Sequence, residues 1–231
     1  MHEIISFDHR LIRKNEASIQ AVSSAALYGR GVFTTIAVKN GRPFLWEKHW
    51  RRLCENADRL GIPLHDLTEI QLKSSLIELL AANNVVFGRA RITVFEESSP
   101  TIWRLDETAK TSVLIITGKN RTRPETLRLT SSPYLVNSTS PLVNIKSCNY
   151  LEHVMALDEA RGRHFDEAVR FNQLGEIVSA CMANIFWMKD GLMFTPALET
   201  GCLAGTTREW ILERGGIAET RANIDSLNSA D

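Results

Sequence analysis

The stretch Asn144-Ile145-Lys146-Ser147-Cys148-Asn149-Tyr150 places a lysine between two unlike segments of the chain. An extended run rich in Ser, Pro and Asn precedes it, and residues 150–161 have the apolar spacing of a helix. Most lysines are simply solvated, and lysine is rarely buried without a purpose. Taken alone, Lys146 is therefore more readily explained as a surface residue than as a catalytic one, and its role depends on the rest of the chain.

The residues on the C-terminal side of this stretch alternate between strand and helix patterns. We predict strands at 112–117, at 127–130 and at 167–171, and another that ends at Met188 and returns after a turn at Asp190-Gly191. Thr206 begins a predicted helix that ends near Gly215-Gly216.

The N-terminal half begins with a predicted β-hairpin. Residues 33–38 and 42–46 flank Asn40-Gly41, a dipeptide that strongly favours a two-residue turn. A helix is predicted from Trp46 to Leu60, and a second helix follows through residues 72–80. Residues 89–95 alternate like a strand.

The length and the pattern together predict two domains. At 231 residues the chain exceeds a typical single domain. A polar stretch with weak patterning covers residues 96–107, so we place a linker at residues 106–111. The prediction is an N-terminal α/β domain over residues 1–105 and a β-rich domain over residues 112–231, an α/β (α+β) chain overall.

Composition narrows the classes of function. Lys+Arg and Asp+Glu number 27 each, so no overall basic charge favours nucleic acid. No apolar run approaches the roughly 20 residues of a membrane span, and the N-terminus lacks the layout of a signal peptide. The 4 cysteines form no CxxC pair, so no metal site is predicted. We expect a cytoplasmic protein that binds a small molecule, not a membrane or nucleic acid.

Several blocks beyond Lys146 change its interpretation. The chain resembles the class IV, or fold type IV, aminotransferases, which are enzymes that use pyridoxal 5'-phosphate (PLP). The blocks that carry the resemblance run in order along the chain: Tyr28-Gly29-Arg30-Gly31-Val32-Phe33, His49-Trp50-Arg51-Arg52-Leu53, Ile145-Lys146-Ser147, Asn149-Tyr150-Leu151, Asp166-Glu167-Ala168, Gly175, Asn184-Ile185-Phe186, Lys189-Asp190-Gly191, Thr195-Pro196, and residues 201–208.

The resemblance implies a fold and an assembly. It implies a two-domain fold with a smaller N-terminal α/β domain and a C-terminal domain that is β-barrel-like. It also implies PLP as cofactor, an amino compound as substrate, and a homodimer. Relatives would continue beyond Asp231 into a further strand and loop, so we expect the C-terminal domain to be truncated.

The resemblance also assigns roles to single residues. Lys146 would carry PLP covalently and move a proton at the substrate Cα, which requires an amine without its proton, beside apolar or cationic neighbours. The remaining assignments are these: Arg52, Gly205, Thr206 and Thr207 to the phosphate; Tyr150, one helical turn after Lys146, to the cofactor; Thr35 to positioning the substrate or its leaving group; Tyr28 and Arg30 to the substrate.

One position departs from the family pattern. Relatives place a glutamate against the pyridine nitrogen of the cofactor, and Ser179 stands there in this chain. A carboxylate would keep that nitrogen protonated, whereas serine offers only a neutral hydrogen bond. Glu176 lies nearby, but on a strand its side chain would point to the opposite face from Ser179.

The resemblance leaves more than one activity open. Phe33-Thr34-Thr35 and residues 181–187 are similar to the 4-amino-4-deoxychorismate lyases of the family, which eliminate pyruvate to leave 4-aminobenzoate for folate biosynthesis. Transaminases for branched-chain or D-amino acids usually have a glutamate in place of Thr34, although Tyr150 is more typical of them. We expect the lyase activity, with a class IV aminotransferase as the alternative. Two hypotheses from other classes of function are a degenerate, non-catalytic homologue and a binding module without cofactor.

Overall fold

The structure, a computed structural model, describes residues 1–98, 110–120 and 124–231. Within these residues the chain has three β-sheets and six α-helices, which confirms the predicted mixed α/β class. It divides into two compact units, Met1–Thr122 with Lys146–Asn149, and Arg123–Ile145 with Tyr150–Asp231. We call these unit 1 and unit 2.

The division between the units differs from the predicted linker. Residues 106–109 of that linker lie outside the described residues, and Thr111 already belongs to a strand of unit 1. That strand is hydrogen-bonded along its length to the strand before it, so its packing keeps it in unit 1. The sequence pattern could not show this pairing because strand partners are set by the tertiary fold.

Unit 1 is built on one six-stranded sheet in the order β2-β1-β6-β5-β3-β4, in which every pairing is antiparallel. Its strands are β1 (Ile4–Phe7), β2 (Arg10–Arg13), β3 (Gly31–Lys39), β4 (Arg42–Pro43), β5 (Gly88–Glu96) and β6 (Thr111–Gly118). The predicted hairpin is confirmed as β3 and β4. Asn40 and Gly41 between them have φ of 51° and 69°, the positive values that the tight hairpin turn requires.

Three helices belong to unit 1, namely α1 (Ser24–Tyr28), α2 (Trp46–Arg59) and α3 (Glu69–Ala82). Both predicted amphipathic helices are therefore confirmed. The buried face of α2 includes His49 and Arg52 and packs on β3, while α3 buries a leucine-rich face against β1 and β6. Two polar side chains of α2 are thus held against the strand that contains Thr34 and Thr35.

Unit 2 contains two three-stranded sheets, one in the order β7-β8-β9 and one in the order β10-β11-β12. The strands are β7 (Leu129–Ser131), β8 (Glu167–Phe171), β9 (Ile177–Ala180), β10 (Trp187–Lys189), β11 (Leu192–Pro196) and β12 (Ile217–Thr220); the helices are α4 (Leu151–Gly162), α5 (Thr206–Leu212) and α6 (Ile224–Asn228), with a 3-10 turn at Leu198–Thr200. The strands predicted around Met188 and the helix predicted from Thr206 are confirmed.

The two faces of the β7-β8-β9 sheet bury different clusters. Ala168 of β8 and Cys181, just after β9, pack against Ala156, Leu157 and Ala160 of α4. On the other face, Val169 and Ile177 pack with Trp187. Because side chains alternate along a strand, Arg170 shares the α4-facing side with Ala168.

No helix in the described ranges combines the length and the hydropathy that a bilayer crossing requires.

Candidate active site

Lys146 lies on an extended segment that is hydrogen-bonded to the beginning of β3. The N–H of Phe33 donates to the carbonyl of Lys146 at 2.9 Å, and the N–H of Cys148 donates to the carbonyl of Gly31 at 2.8 Å. Val32 and Ser147 form the β-bridge between these two bonds. The backbone of Lys146 is therefore fixed by β-type pairing in unit 1.

The amine of Lys146 is surrounded by groups that disfavour its protonated form. Its Nζ lies 4.5 Å from the centre of the Phe33 ring. Desolvation by burial, followed by the charges of Arg52 and Arg91, lowers the pKa of Lys146 from 10.5 to about 7. A substantial share of this amine is therefore uncharged and nucleophilic at neutral pH.

A buried hydrogen-bond chain lies beside Lys146 and includes Arg52. Nη2 of Arg52 donates to Oγ1 of Thr34 at 2.8 Å, and the same oxygen lies 2.6 Å from Nδ1 of His49. Desolvation, then the charges of Arg52 and Lys146, lowers the pKa of His49 to about 3, so the ring is neutral at physiological pH. Its Nδ1 can then accept the Thr34 hydroxyl proton, which leaves the Thr34 oxygen to accept from Arg52.

Thr35 lies on the other face of β3, where the sheet supplies a second arginine. Thr35 is exposed and stands directly opposite Arg91 of β5, so the two side chains share a face. The guanidinium carbon of Arg91 lies 3.6 Å from the centre of the Phe33 ring, the ring that Lys146 also approaches. The structure therefore brings Thr35, Arg91 and Lys146 to one place in unit 1.

Arg91 and His49 were not predicted as site residues, although the sequence around each carried a signal. Along β5, Ala90, Ile92 and Val94 alternate with polar residues. One face of the strand is therefore apolar, and Arg91 lies on the opposite, polar face. His49 precedes Arg52 by three residues, the spacing that places both side chains on one helix face.

Arg30 and Tyr28 occupy different surroundings. Nε of Arg30 forms an ion pair with Oε2 of the buried Glu96 at 2.9 Å, and Nη2 donates to the carbonyl of Gly61 at 2.9 Å. Tyr28, the last residue of α1, is 44% exposed. The guanidinium of Arg30 is therefore already bound by protein groups.

Tyr150 departs from the geometry predicted for it. The helix begins at Leu151, and Tyr150 is its N-cap, whereas Lys146 lies on the extended segment before it. The expectation that Tyr150 follows Lys146 by one helical turn is therefore wrong, because residues 146–148 pair with β3 rather than coiling. In unit 2 the Tyr150 ring stacks on His153 with ring centres 4.0 Å apart.

Ser179 is buried on β9 and stands opposite Arg170 of β8. Glu176 precedes the strand, which begins at Ile177, so strand parity does not decide its direction. Its carboxylate accepts from Nδ2 of Asn172 at 2.7 Å and from Nε of Arg221 at 2.7 Å. These contacts, that of Asn172 first, lower the pKa of Glu176 and hold its carboxylate in place.

The segment Gly205-Thr206-Thr207 opens helix α5, as predicted. Gly205 is the N-cap and Thr206 is buried. A side chain at Gly205 would collide with Oδ1 of Asn184, whose amide donates to the carbonyl of Leu203 at 2.8 Å. A larger residue at Gly205 would therefore require the Asn184 side chain to move.

The residues present suit a cofactor that bears an aldehyde and a phosphate. Lys146 offers an amine with a pKa of about 7, which can attack an aldehyde at neutral pH. Arg52 and Arg91 keep their charge in the surroundings that deprotonate Lys146, and a cluster of arginines suits an anionic ligand.

Known proteins resemble the chain over nearly its whole length. The profile of a family described as "Amino-transferase class IV" matches residues 31–231. The chain is 26% identical to the aminodeoxychorismate lyase of Bacillus subtilis (strain 168), over 99% of this chain and 80% of the lyase. It is 26% identical to a D-alanine aminotransferase of Staphylococcus epidermidis, over 95% of this chain and 80% of that enzyme.

A solved structure gives the same answer for the fold. The branched-chain aminotransferase of the archaeon Thermoproteus uzoniensis superimposes with a TM-score of 0.90 and 28% identity, over 99% of this chain and 81% of that chain. The family profile and this likeness confirm the predicted family and the predicted fold type.

Proposed function

We propose, since the chain belongs to the class IV aminotransferase family, that this PLP-dependent enzyme is a 4-amino-4-deoxychorismate lyase. The family's enzymes use PLP, as the resemblance implied. The observation that carries the proposal is the cluster around Lys146, where an amine with a pKa of about 7 lies among Arg52, Arg91, Phe33 and Thr34.

The hydrogen bonds of the Thr34 hydroxyl with Arg52 and His49 favour the lyase activity over transamination. The oxygen of Thr34 accepts from Arg52 and is in contact with neutral His49, so the position is occupied by a short neutral side chain. A glutamate there, as in the transaminases described above, would place a carboxylate against Arg52. The similarity to the B. subtilis lyase points the same way.

In the proposed reaction, PLP would withdraw electrons from the substrate Cα, and residues of the chain would transfer the proton and position the leaving group. The uncharged amine of Lys146 accepts the proton from that carbon. The carbon–oxygen bond to the enolpyruvyl group breaks and its electron pair leaves with the oxygen as an enolate. The proton that Lys146 has taken up returns to the methylene carbon of this enolate, which gives pyruvate. The substrate ring becomes the aromatic ring of 4-aminobenzoate, so the reaction needs no oxidant and no second substrate.

The family resemblance assigns most of the remaining residues, and the surroundings of Arg91 and Arg30 add to it. Arg52 would bind the phosphate with Gly205, Thr206 and Thr207, and Tyr150 and Ser179 would contact the rest of the cofactor. Thr35 would position the leaving group, and Arg91, on the same face, would bind a substrate carboxylate. Arg30 is a weaker candidate for that carboxylate, because Glu96 already binds it.

The alternative activity is transamination of branched-chain or D-amino acids. It is favoured by Tyr150, which is more typical of the transaminases, and by the likeness to the S. epidermidis and T. uzoniensis enzymes. A degenerate homologue that keeps the cofactor without catalysis is the third possibility, suggested by Ser179. We also propose a homodimer, which rests on the family resemblance.

The test is a visible absorption spectrum of the purified protein with added PLP, taken after desalting, for wild type and Lys146→Ala. A retained band that is absent from the variant supports the covalent role of Lys146. Assays with 4-amino-4-deoxychorismate, with branched-chain amino acids and with D-alanine then follow. Release of 4-aminobenzoate and pyruvate supports the lyase; transfer of the amino group without pyruvate release supports the alternative. A retained band with neither activity supports the non-catalytic homologue.

A further inference from the structure

Arg170 is a charged residue in the interior of unit 2. It lies in the middle of β8, and its side chain is 1% exposed. Arginine keeps its proton under all ordinary conditions, so it cannot escape the cost of burial by becoming neutral. A buried guanidinium therefore requires acceptors for its five N–H groups.

Within the described residues, Arg170 has one acceptor and lacks the others. Nη2 donates to Oε2 of Glu152 at 3.3 Å, but the side chain of Glu152 is 76% exposed, so water competes for that carboxylate. Nε has no partner in the described part of the chain. The positive charge of Arg170 is thus balanced only weakly, by the carboxylate of Glu152.

The second neighbour of Arg170 does not accept a hydrogen bond from it. Nδ1 of His153 lies 3.4 Å from Nη1 of Arg170 and 2.8 Å from the carbonyl oxygen of Cys181. A carbonyl can only accept, so Nδ1 carries the proton and donates it to Cys181. Two donors then face each other, and His153 leaves Arg170 unsatisfied.

Ser179 shares the face of the sheet with Arg170. The two residues are direct partners in the antiparallel pairing of β8 and β9, which brings their Cβ atoms to about 4.5–5.5 Å. The next pair joins Phe171 to Ile177, so Val178 is an extra residue in β9 and forms a bulge. Bulges of this kind redirect side chains beside active sites. The buried hydroxyl of Ser179 also makes no hydrogen bond to any residue that the structure describes.

We propose that Arg170 and Ser179 together receive the ring nitrogen of PLP as an unprotonated hydrogen-bond acceptor. The inference rests on the proposed function, in which Ser179 faces that nitrogen. A cation and a hydroxyl at this place supply donors, and the ring nitrogen's lone pair supplies the acceptor that Arg170 lacks. A protonated ring nitrogen would instead place a second positive charge against a buried guanidinium, which Coulomb repulsion opposes.

The consequence for the chemistry is a weaker electron sink. An unprotonated ring withdraws electrons less strongly from the substrate Cα, which slows reactions that depend on negative charge at that carbon. Elimination that creates an aromatic ring is helped by the stability of its product and depends less on this withdrawal. The pair of residues therefore restricts the enzyme toward elimination over transamination.

The test is the 15N resonance of the ring nitrogen in protein loaded with ring-15N-labelled PLP, without substrate, from pH 6 to pH 8.5. Free labelled PLP at acid and alkaline pH calibrates the protonated and unprotonated positions. We expect the unprotonated position in wild type throughout. A protonated nitrogen in wild type overturns the proposal while the proposed function stands, since the cofactor is bound. A protein that retains no cofactor contradicts both.

Variants sharpen the assignment. The double variant Ser179→Glu with Arg170→Leu places a carboxylate where the donors were, and its ring nitrogen is expected at the protonated position. An unchanged, unprotonated resonance there would show that these residues do not control the nitrogen and would overturn the proposal. Arg221→Met is the matched control, because Arg221 is an exposed arginine of the same unit bound to Glu176. It is expected to leave the resonance in place, and a change as large as that of the double variant would count against a specific role.

Discussion

Lys146 in unit 1 is partly buried and Arg170 in unit 2 is fully buried, and burial has different consequences for the two basic residues. Lys146 lies against the Phe33 ring, and desolvation by burial, followed by the charges of Arg52 and Arg91, lowers its pKa to about 7. Arg170 is more deeply buried and has one weak acceptor in Glu152. Lysine can release its proton and become a reactive amine. Arginine cannot, so it remains a charged hydrogen-bond donor that requires an acceptor.

The comparison separates two ways to build a reactive centre. In unit 1, burial first and cationic neighbours second lower the pKa of the lysine that has to react. In unit 2, the permanent charge of Arg170 favours a neighbouring group that accepts a hydrogen bond and disfavours a second positive charge. Experiments on protein without cofactor can test the two cases separately, because the energetic consequences belong to the protein alone.

The largest effect is expected from the pH dependence at Lys146. Between pH 7 and 10.5 the unfolded chain binds a proton at Lys146 that the folded chain has released, so stability rises with pH in that window. At about 1.4 kcal/mol per pKa unit, this contribution grows by roughly 3 kcal/mol between pH 6 and pH 9.5. Lys146→Met removes it, so the stability gain of the variant over wild type is greatest at pH 6 and shrinks toward pH 9.5. Urea unfolding of both proteins at the two pH values measures this, and parallel pH curves would contradict it.

An effect of the same sign, but independent of pH, is expected from Arg170→Met. Replacing a buried, poorly paired cation by an apolar side chain of similar length stabilises the cofactor-free protein by roughly 1–4 kcal/mol. Arginine stays charged, so the gain should be the same at pH 6 and pH 9.5, in contrast to Lys146. Urea midpoints with Arg221→Met as control measure it; a loss of stability in Arg170→Met would show that Arg170 is already well satisfied.

Thr34→Val should destabilise the protein by about 1–3 kcal/mol, because it removes the oxygen that contacts Arg52 and His49. Thr34→Ser keeps that oxygen and should lie close to wild type. Thr34→Val keeps the bulk of threonine and loses its hydroxyl, whereas Thr34→Ser keeps the hydroxyl and loses a methyl group. Thermal or urea unfolding of both variants against wild type therefore separates the hydrogen bonds from packing. Equal stability of the valine and serine variants would show that the chain through Thr34 contributes little.

The smallest effect is expected at Arg51, the neighbour of Arg52 on α2. Arg51 is 54% exposed and pairs with Glu55 at 3.7 Å, a surface ion pair worth at most about 0.5 kcal/mol. Arg51→Ala should leave both stability and cofactor retention close to wild type, whereas Arg52→Ala should weaken retention of PLP. Equilibrium dialysis with PLP compares the two. Equal losses would contradict the assignment of the phosphate to Arg52.

Much of the fold could be predicted because its signals are local. Asn40-Gly41 determines a turn by its own dihedral preferences, and the apolar spacing of α2 and α3 describes faces that they do bury. Lys146 and Arg52 could be selected because their neighbours in sequence carry the family's motifs. These features require no knowledge of which strand lies beside which.

The rest required the tertiary structure. Arg170 stands in a five-residue strand between apolar neighbours, which hinted at burial, yet its significance lies in facing Ser179 across β9 and in the proton direction at His153. The position of Tyr150 was mistaken for the same reason, since the pairing of residues 146–148 with β3 kept them out of a helix. Pairing between distant segments decides both cases.

The segment Lys146–Asn149 is packed with unit 1, although the residues on both sides of it in the sequence belong to unit 2. On a ribosome, the six strands of the first sheet are complete once Gly118 has emerged, but the lysine arrives almost thirty residues later. A nascent chain released in that interval would contain the sheet, α2 and Thr34 with its hydrogen bonds to α2. It would lack the amine of Lys146. Reactivity is thus the last property that unit 1 acquires during synthesis.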